Sequence, residues 1–210
     1  MNIWKNYALR LSAVGAYRSF LVLPPVQALA KLIRALAEET ADDEALLDHY
    51  AETFYALQKA GYDSLGGYLW EHFRYDETPY GDAAARGTAN AALVDAARWD
   101  VETFAALSAV TPAQWRAAVA GRAGEEAAAL LPVWRADDTL SFEALTEEYR
   151  KNGAGEFARY KAFTWSNHTL LRVVDPDLEE HALIGYEEER KEVQDNTRAL
   201  LAGHSVNNML

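Results

Sequence analysis

Apolar residues recur at helical spacing through about the first 150 residues, and this regularity is the strongest constraint on the fold. In the stretch 25–39, for example, Val26, Leu29, Ile33 and Leu36 fall on one face of a helix. No stretch before Lys151 alternates apolar and polar residues as a half-buried strand would. Helices are predicted at 2–13, 25–39, 44–60, 65–73, 90–109, 113–120, 125–131 and 142–151. The pattern therefore predicts a helical N-terminal domain over residues 1–152.

Residues that begin and end helices agree with this division. Asp42, Ser64, Thr111 and Ser141 precede predicted helices and can accept hydrogen bonds from the first-turn amides. The segment Tyr75–Gly81 contains acidic residues, a proline and a glycine, so it is predicted to be a loop. Its two tyrosines, Tyr75 and Tyr80, make it the candidate contact surface for a protein partner, because interfaces are enriched in tyrosine.

The last third of the chain has a different pattern. The segments 157–165 and 169–174 mix aromatic and β-branched residues, which favours one or two short strands within a connecting arm, 153–182. A charged helix is predicted from Tyr186 to Gly203, since glycine tolerates the left-handed conformation after a helix end. Residues 206–210, Val-Asn-Asn-Met-Leu, then resemble the opening of a buried strand. The predicted fold class is mainly α, with a C-terminal arm, helix and strand that would begin an α/β core at residues 183–210.

Composition excludes several classes of function. Acidic residues outnumber basic ones by 32 to 20, so a general affinity for nucleic acid or for an anionic membrane surface is not expected. Basic residues cluster locally only at Arg150–Lys151 and Arg159–Lys161. The chain has no cysteine, which excludes disulfides and thiolate zinc sites. The N-terminus lacks the apolar centre of a signal peptide, and we expect a soluble cytoplasmic protein.

Motifs that carry catalysis are absent from the sequence. None of the five histidines falls into a metal-binding spacing, so no metal site is predicted. The sequence contains no Gly-Lys-Ser or Gly-Lys-Thr and no Gly-x-Ser-x-Gly. Gly153-Ala154-Gly155 is a single Gly-x-Gly and is interpreted as a turn. No catalytic residue is therefore predicted, and the chain alone is not expected to hydrolyse ATP.

The C-terminal stretch carries a resemblance to a known family. Leu183-Ile184-Gly185-Tyr186-Glu187, Asn196-Thr197, Leu201-Ala202-Gly203 and Asn207-Asn208-Met209-Leu210 occur in this order. This string resembles the entry to the ATPase core in an uncharacterised bacterial family of AAA+-type P-loop ATPases. In that family the last of these elements leads into the glycine-rich phosphate-binding loop. The resemblance implies that this chain corresponds to the N-terminal region of such an ATPase and stops before the loop.

The resemblance also implies a cofactor site. In AAA+ ATPases the turn equivalent to Leu183, Ile184, Gly185 and Tyr186 packs against the adenine of ATP. These four residues are thus the candidate adenine-binding residues of the complete protein. The alternative interpretation is an ordinary junction between a loop and a helix, with Leu183 and Ile184 in a core.

Two functional hypotheses follow. In the first, the helical domain binds a protein partner or substrate for an ATPase whose core continues beyond these residues. In the second, the chain is a self-contained helical module for protein interaction, without a nucleotide function. Neither hypothesis involves nucleic acid or a membrane.

Overall fold

The computed structural model describes residues 2–38, 42–174 and 185–204. Its contacts divide the chain into two compact units, Met1–Val173 and Val174–Leu210. The predicted domain boundaries near residues 152 and 182 stay predictions. The structure is mainly helical with one small sheet, which confirms the predicted α class. None of the described helices combines the length and the apolar character that a membrane span requires.

The first unit consists of helices followed by one β-hairpin. A 3₁₀ helix, Arg18–Val22, connects the first two α-helices. The α-helices are α1 Ile3–Ser12, α2 Pro24–Ala37, α3 Asp43–Lys59, α4 Leu65–Tyr75, α5 Pro79–Ala85, α6 Ala91–Ser108, α7 Pro112–Ala123, α8 Glu125–Ala129, α9 Phe142–Asn152 and α10 Glu156–Arg159. The strands are β1 Phe163–Ser166 and β2 Thr169–Arg172, which pair antiparallel.

The predicted helix caps are confirmed. The side chains of Asp42, Ser64, Thr111 and Ser141 each accept a hydrogen bond from a first-turn amide of α3, α4, α7 and α9, respectively. Thr111 also forms a reciprocal capping box with Gln114. These caps fix where the helices begin.

The prediction of a loop over Tyr75–Gly81 is wrong in its second half. Thr78 accepts a hydrogen bond from the Gly81 amide and caps α5, with Pro79 at the first helical position. Tyr80 is only 1% exposed and packs against Phe142. Tyr80 therefore belongs to the core and is not available to a partner, whereas Tyr75 is half-buried.

Two further boundaries differ from the prediction. Helix α7 continues through Gly121 to Ala123 and ends at Gly124, whose φ of +90° favours glycine. The predicted strand over 157–165 is shorter, because residues Glu156–Arg159 form the single turn α10 and β1 starts only at Phe163. The strand predicted at 169–174 is confirmed as β2.

The core of the first unit lies where four segments meet around aromatic rings. Tyr17 packs edge-on against Phe73 with ring centroids 4.6 Å apart, and Phe20 and Phe104 complete the cluster. The buried hydroxyl of Tyr149 donates to the carbonyl of Phe73, so the hydroxyl of Tyr17, 3.1 Å away, donates to Tyr149. The chain entering α2 is thus joined to the last long helix, α9.

The second unit is described over residues 174 and 185–204 and contains α11, Glu187–Leu201. The helix ends as predicted at Gly203, where the amides of Gly203 and His204 donate to the carbonyls of Leu200 and Ala199. This pattern is a Schellman motif, and Gly203 has the positive φ that it requires. The predicted strand at 206–210 lies outside the described residues.

Candidate functional site

Of the four candidate adenine-binding residues, the structure describes only Gly185 and Tyr186. Leu183 and Ile184 lie outside the described residues, and nothing tests their proposed role. Gly185 and Tyr186 have φ values of +88° and +55°, so two consecutive residues are left-handed immediately before α11. For tyrosine this conformation costs about 1–2 kcal/mol. The Tyr186 side chain is 75% exposed, and the residue provides no side-chain cap for the helix.

The charges beside this turn limit what it could bind. Three consecutive glutamates, Glu187–Glu189, occupy the first turn of α11. Their carboxylates interact favourably with the positive end of the helix dipole, and they repel a phosphate. The first turn of α11 therefore disfavours the binding of a phosphate chain.

A second candidate is a cavity of about 460 Å³ between α5, α6 and α9. Its inner wall is formed by Tyr80, Val94 and Phe142, and its rim carries Arg98, Glu143, Thr146 and Arg150, among others. The Arg98 guanidinium carbon lies 4.3 Å from the centroid of the Phe142 ring. The Tyr80 hydroxyl lies 2.9 Å from Oγ1 of Thr146.

The charges of this cavity largely neutralise one another. Arg98 donates a hydrogen bond to Glu143, which raises the pKa of the guanidinium and lowers the pKa of the carboxyl group. The other two charged lining residues, Arg150 and Glu147, are also of opposite sign. The cavity thus combines an apolar inner wall with a polar rim.

Two buried carboxylates have structural roles. Asp100 on α6 is 1% exposed and accepts hydrogen bonds from the amides of Gly15 and Tyr17 at 3.1 and 2.9 Å. Burial raises the pKa of Asp100, although these amides act in the opposite direction. Asp137 accepts hydrogen bonds from Ser64 and Thr139. Both carboxylates hold loops against helices.

The histidines do not form a metal site within the part of the chain that the structure describes. No group of three histidine, aspartate or glutamate side chains is positioned there to hold a metal ion. His72 instead contacts Asp76, with Nδ1 and Oδ2 2.8 Å apart, one helical turn away. His181 lies outside the described residues.

Sequence reasoning missed the cavity, although part of its signal was present. Phe142, Thr146 and Arg150 are spaced four residues apart on α9 and so share one face. Nothing in that spacing indicates that Arg98, 45 residues from Glu143, would complete the rim. The relevant information is a long-range contact and not a local pattern.

Comparisons with known proteins give no relative from which a site could be transferred. No protein-family model, no curated protein and no solved structure matches the chain. The candidate sites therefore rest on the geometry and charges described above.

Proposed function

We propose that this chain is the N-terminal region of an AAA+-type P-loop ATPase. In this proposal the helical unit binds a protein partner, and the turn Leu183–Tyr186 contacts the adenine of ATP. The observation that supports the nucleotide role is the pair of left-handed residues Gly185 and Tyr186, with the tyrosine ring exposed. A non-glycine residue held in this conformation is typical of functional sites, where surrounding structure or a ligand compensates for the strain.

The chemistry of the turn agrees with adenine and not with phosphate. Adenine is flat and uncharged, so it can stack on an exposed aromatic ring beside a glycine that lets the backbone approach. The glutamates Glu187–Glu189 would repel the triphosphate, which must therefore extend away from this end of α11. Phosphate binding requires a lysine and a hydroxyl in a glycine-rich loop, and no such loop occurs in these 210 residues.

The first experiment is to determine the reading frame of the source locus beyond the codon for Leu210. We expect a glycine-rich loop ending in Gly-Lys-Ser or Gly-Lys-Thr shortly after that codon. If no such loop follows, the ATPase proposal is wrong. The same result would favour the second hypothesis, a helical interaction module without a nucleotide function.

The adenine contact is tested in the protein that contains the loop by replacing Tyr186 with asparagine. Asparagine tolerates the left-handed conformation, so Tyr186→Asn keeps the turn and removes the ring. Since stacking on an aromatic ring contributes about 1–3 kcal/mol per base, we expect ATP to bind about 10-fold more weakly. The measurement is the equilibrium dissociation constant of a fluorescent ATP analogue.

Gly203→Ala provides the matched control. Gly203 is also left-handed, with φ of +79°, and it lies at the other end of the same helix. The substitution strains α11 without touching the turn, so the affinity for ATP should be unchanged. Equal weakening in both variants would indicate that the helix, and not the ring, is what nucleotide binding requires.

A further inference from the structure

The β-hairpin of the first unit is almost uncovered. Trp165 is 67% exposed and Leu170 is 44% exposed, and every strand residue except Phe163 is classed as exposed. The strands are joined by Asn167 and His168, both left-handed, in a two-residue turn. An isolated two-stranded hairpin is at best marginally stable in water. This hairpin therefore exposes an apolar surface, and pairing with a further strand would stabilise it.

The hairpin has hydrogen-bonding edges that face outward. The amide of Val173 donates to the carbonyl of Ala162, which identifies 162 and 173 as a hydrogen-bonded pair. Hydrogen-bonded and non-hydrogen-bonded pairs alternate, so the pairs Trp165–Leu170 and Phe163–Arg172 direct their amides and carbonyls away from the other strand. Within the described residues the sheet has only these two strands.

One face of the hairpin is mostly apolar. Trp165 and Leu170 are directly opposite each other, and Phe163 and Arg172 lie on the same face because side chains alternate along a strand. The Phe163 ring contacts Phe157 of α10, with centroids 5.0 Å apart. A strand added beside β1 would extend this face next to Trp165, and a strand added beside β2 would extend it next to Leu170.

The hairpin also lies in a locally basic segment of an acidic protein. The chain has a net charge of −12, but the segment 150–174 contains five basic residues and one acidic residue. These residues are Arg150, Lys151, Arg159, Lys161, Arg172 and Glu156. Arg159 and Arg172 form ion pairs with Glu71 and Glu156. Lys161, immediately before β1, has no ion-pair partner in the described part of the chain.

We propose that this hairpin binds an acidic, extended peptide segment of a protein partner, which adds to an edge as a third strand. This inference rests on the partner-binding half of the proposed function and not on its nucleotide half. The outward edges present amide donors and carbonyl acceptors in alternation, and a peptide strand supplies both in the matching order. The basic segment around them favours acidic side chains.

The same observations disfavour the other possible occupants. A nucleic-acid backbone supplies acceptors only, so it would leave the outward carbonyls unsatisfied. A second copy paired edge to edge would bring two basic segments together, and like charges at close range are unfavourable. An acidic peptide strand supplies both the donors and acceptors that the outward edge can pair with and the negative charge that the basic segment attracts.

The test uses the 210-residue chain and a fluorescein-labelled decapeptide in which valine and glutamate alternate. We expect saturable binding that weakens several-fold between low and physiological salt, because the attracting charges are exposed. Lys161→Glu should weaken binding by about 5- to 10-fold, since it replaces an attraction with a repulsion. Lys5→Glu is the matched control, because Lys5 is exposed on α1, outside the basic segment, and carries the same change of charge.

A second pair of probes tests strand addition itself. The same peptide with alternate amides N-methylated keeps the charge but cannot donate the hydrogen bonds of a strand. We expect this peptide to bind at least 10-fold more weakly, and the unmodified peptide to slow the exchange of the Trp165 or Leu170 amide hydrogens. Equal binding of the two peptides, or equal effects of Lys161→Glu and Lys5→Glu, would overturn the inference.

Two further outcomes would replace the proposed occupant. Binding of oligo(dT) without binding of the acidic peptide would assign the hairpin to nucleic acid. Concentration-dependent self-association that Trp165→Glu abolishes would assign it to a second copy of the chain. Nucleotide binding is measured separately through Tyr186, so failure of the peptide experiment leaves the result for the adenine contact unaffected.

Discussion

Asp100 is the residue whose loss should be most costly for the first unit. Its carboxylate accepts the amides of Gly15 and Tyr17, more than 80 residues away in sequence. Asp100→Ala would leave these amides without an acceptor, and we expect the free energy of unfolding to fall by about 2–4 kcal/mol. Asp95→Ala is the control, because Asp95 is exposed on the same helix and its loss should change stability by less than about 0.5 kcal/mol. Chemical denaturation of both variants measures the difference.

The raised pKa of Asp100 predicts the pH dependence of a related variant. An acid whose pKa is higher in the folded state stabilises the fold fully below its ordinary pKa, here 3.8, and this contribution is lost as the pH rises through the folded pKa. Asp100→Asn does not titrate. The free energy of unfolding of Asp100→Asn should therefore lie further below that of the unmodified protein at pH values under 3.8 than at neutral pH. If this difference in the free energy of unfolding grew with rising pH, the result would contradict the raised pKa of Asp100.

At the scale of helices, two glycines should respond oppositely to alanine. A Cβ on Gly66 of α4 would lie 2.7 Å from the Cβ of Asp137, whereas a Cβ on Gly121 of α7 would meet nothing within 4 Å. Gly66→Ala should destabilise by about 1–3 kcal/mol through overpacking. Gly121→Ala should stabilise by about 0.5–1 kcal/mol, because alanine is the better helix former. Thermal unfolding of the two variants should give shifts of opposite sign, and a common sign would refute this account of Gly66.

These same helices show what local sequence predicts. The long helices and their caps follow from apolar spacing and from residues such as Asp42 and Ser141, because both signals are local. Thr111 correctly predicts the start of α7, whereas the similar pair Thr78-Pro79 begins α5 within a segment whose acidic residues and Gly81 predict a loop. The predicted helix 113–120 stops before Gly121, although an isolated glycine costs a helix only about 1 kcal/mol.

The candidate sites were less predictable than the helices, again for a physical reason. The rim formed by Arg98 on α6 and Glu143 on α9 depends on how two helices pack, and neither helix indicates its neighbour. The hairpin strands were predicted from their composition, but their exposure was not. Exposure depends on whether residues far away in the sequence cover the hairpin, and a short window of sequence does not contain this information.

For the whole molecule we expect two levels of protection against hydrogen exchange. Helices α2 and α3 pack extensively against each other and carry buried residues along their length. Helix α11 has no buried residue, and an isolated helix of about 15 residues is only marginally stable in water. Its amides should exchange orders of magnitude faster than those of α2 and α3 in the 210-residue chain. Equal protection of α11 and α2 would show that α11 is stabilised by contacts outside its own residues.

The hydroxyl pair Tyr17–Tyr149 has a consequence for synthesis. Its two members are 132 residues apart, and the aromatic core around Tyr17 also requires Phe73 and Phe104. A chain is translated from its N-terminus, so Tyr17 leaves the ribosome long before Tyr149 does. During that interval the apolar faces of the first helices have no complete core to enter. The aromatic core of the first unit can therefore be completed only after α9 has left the ribosome.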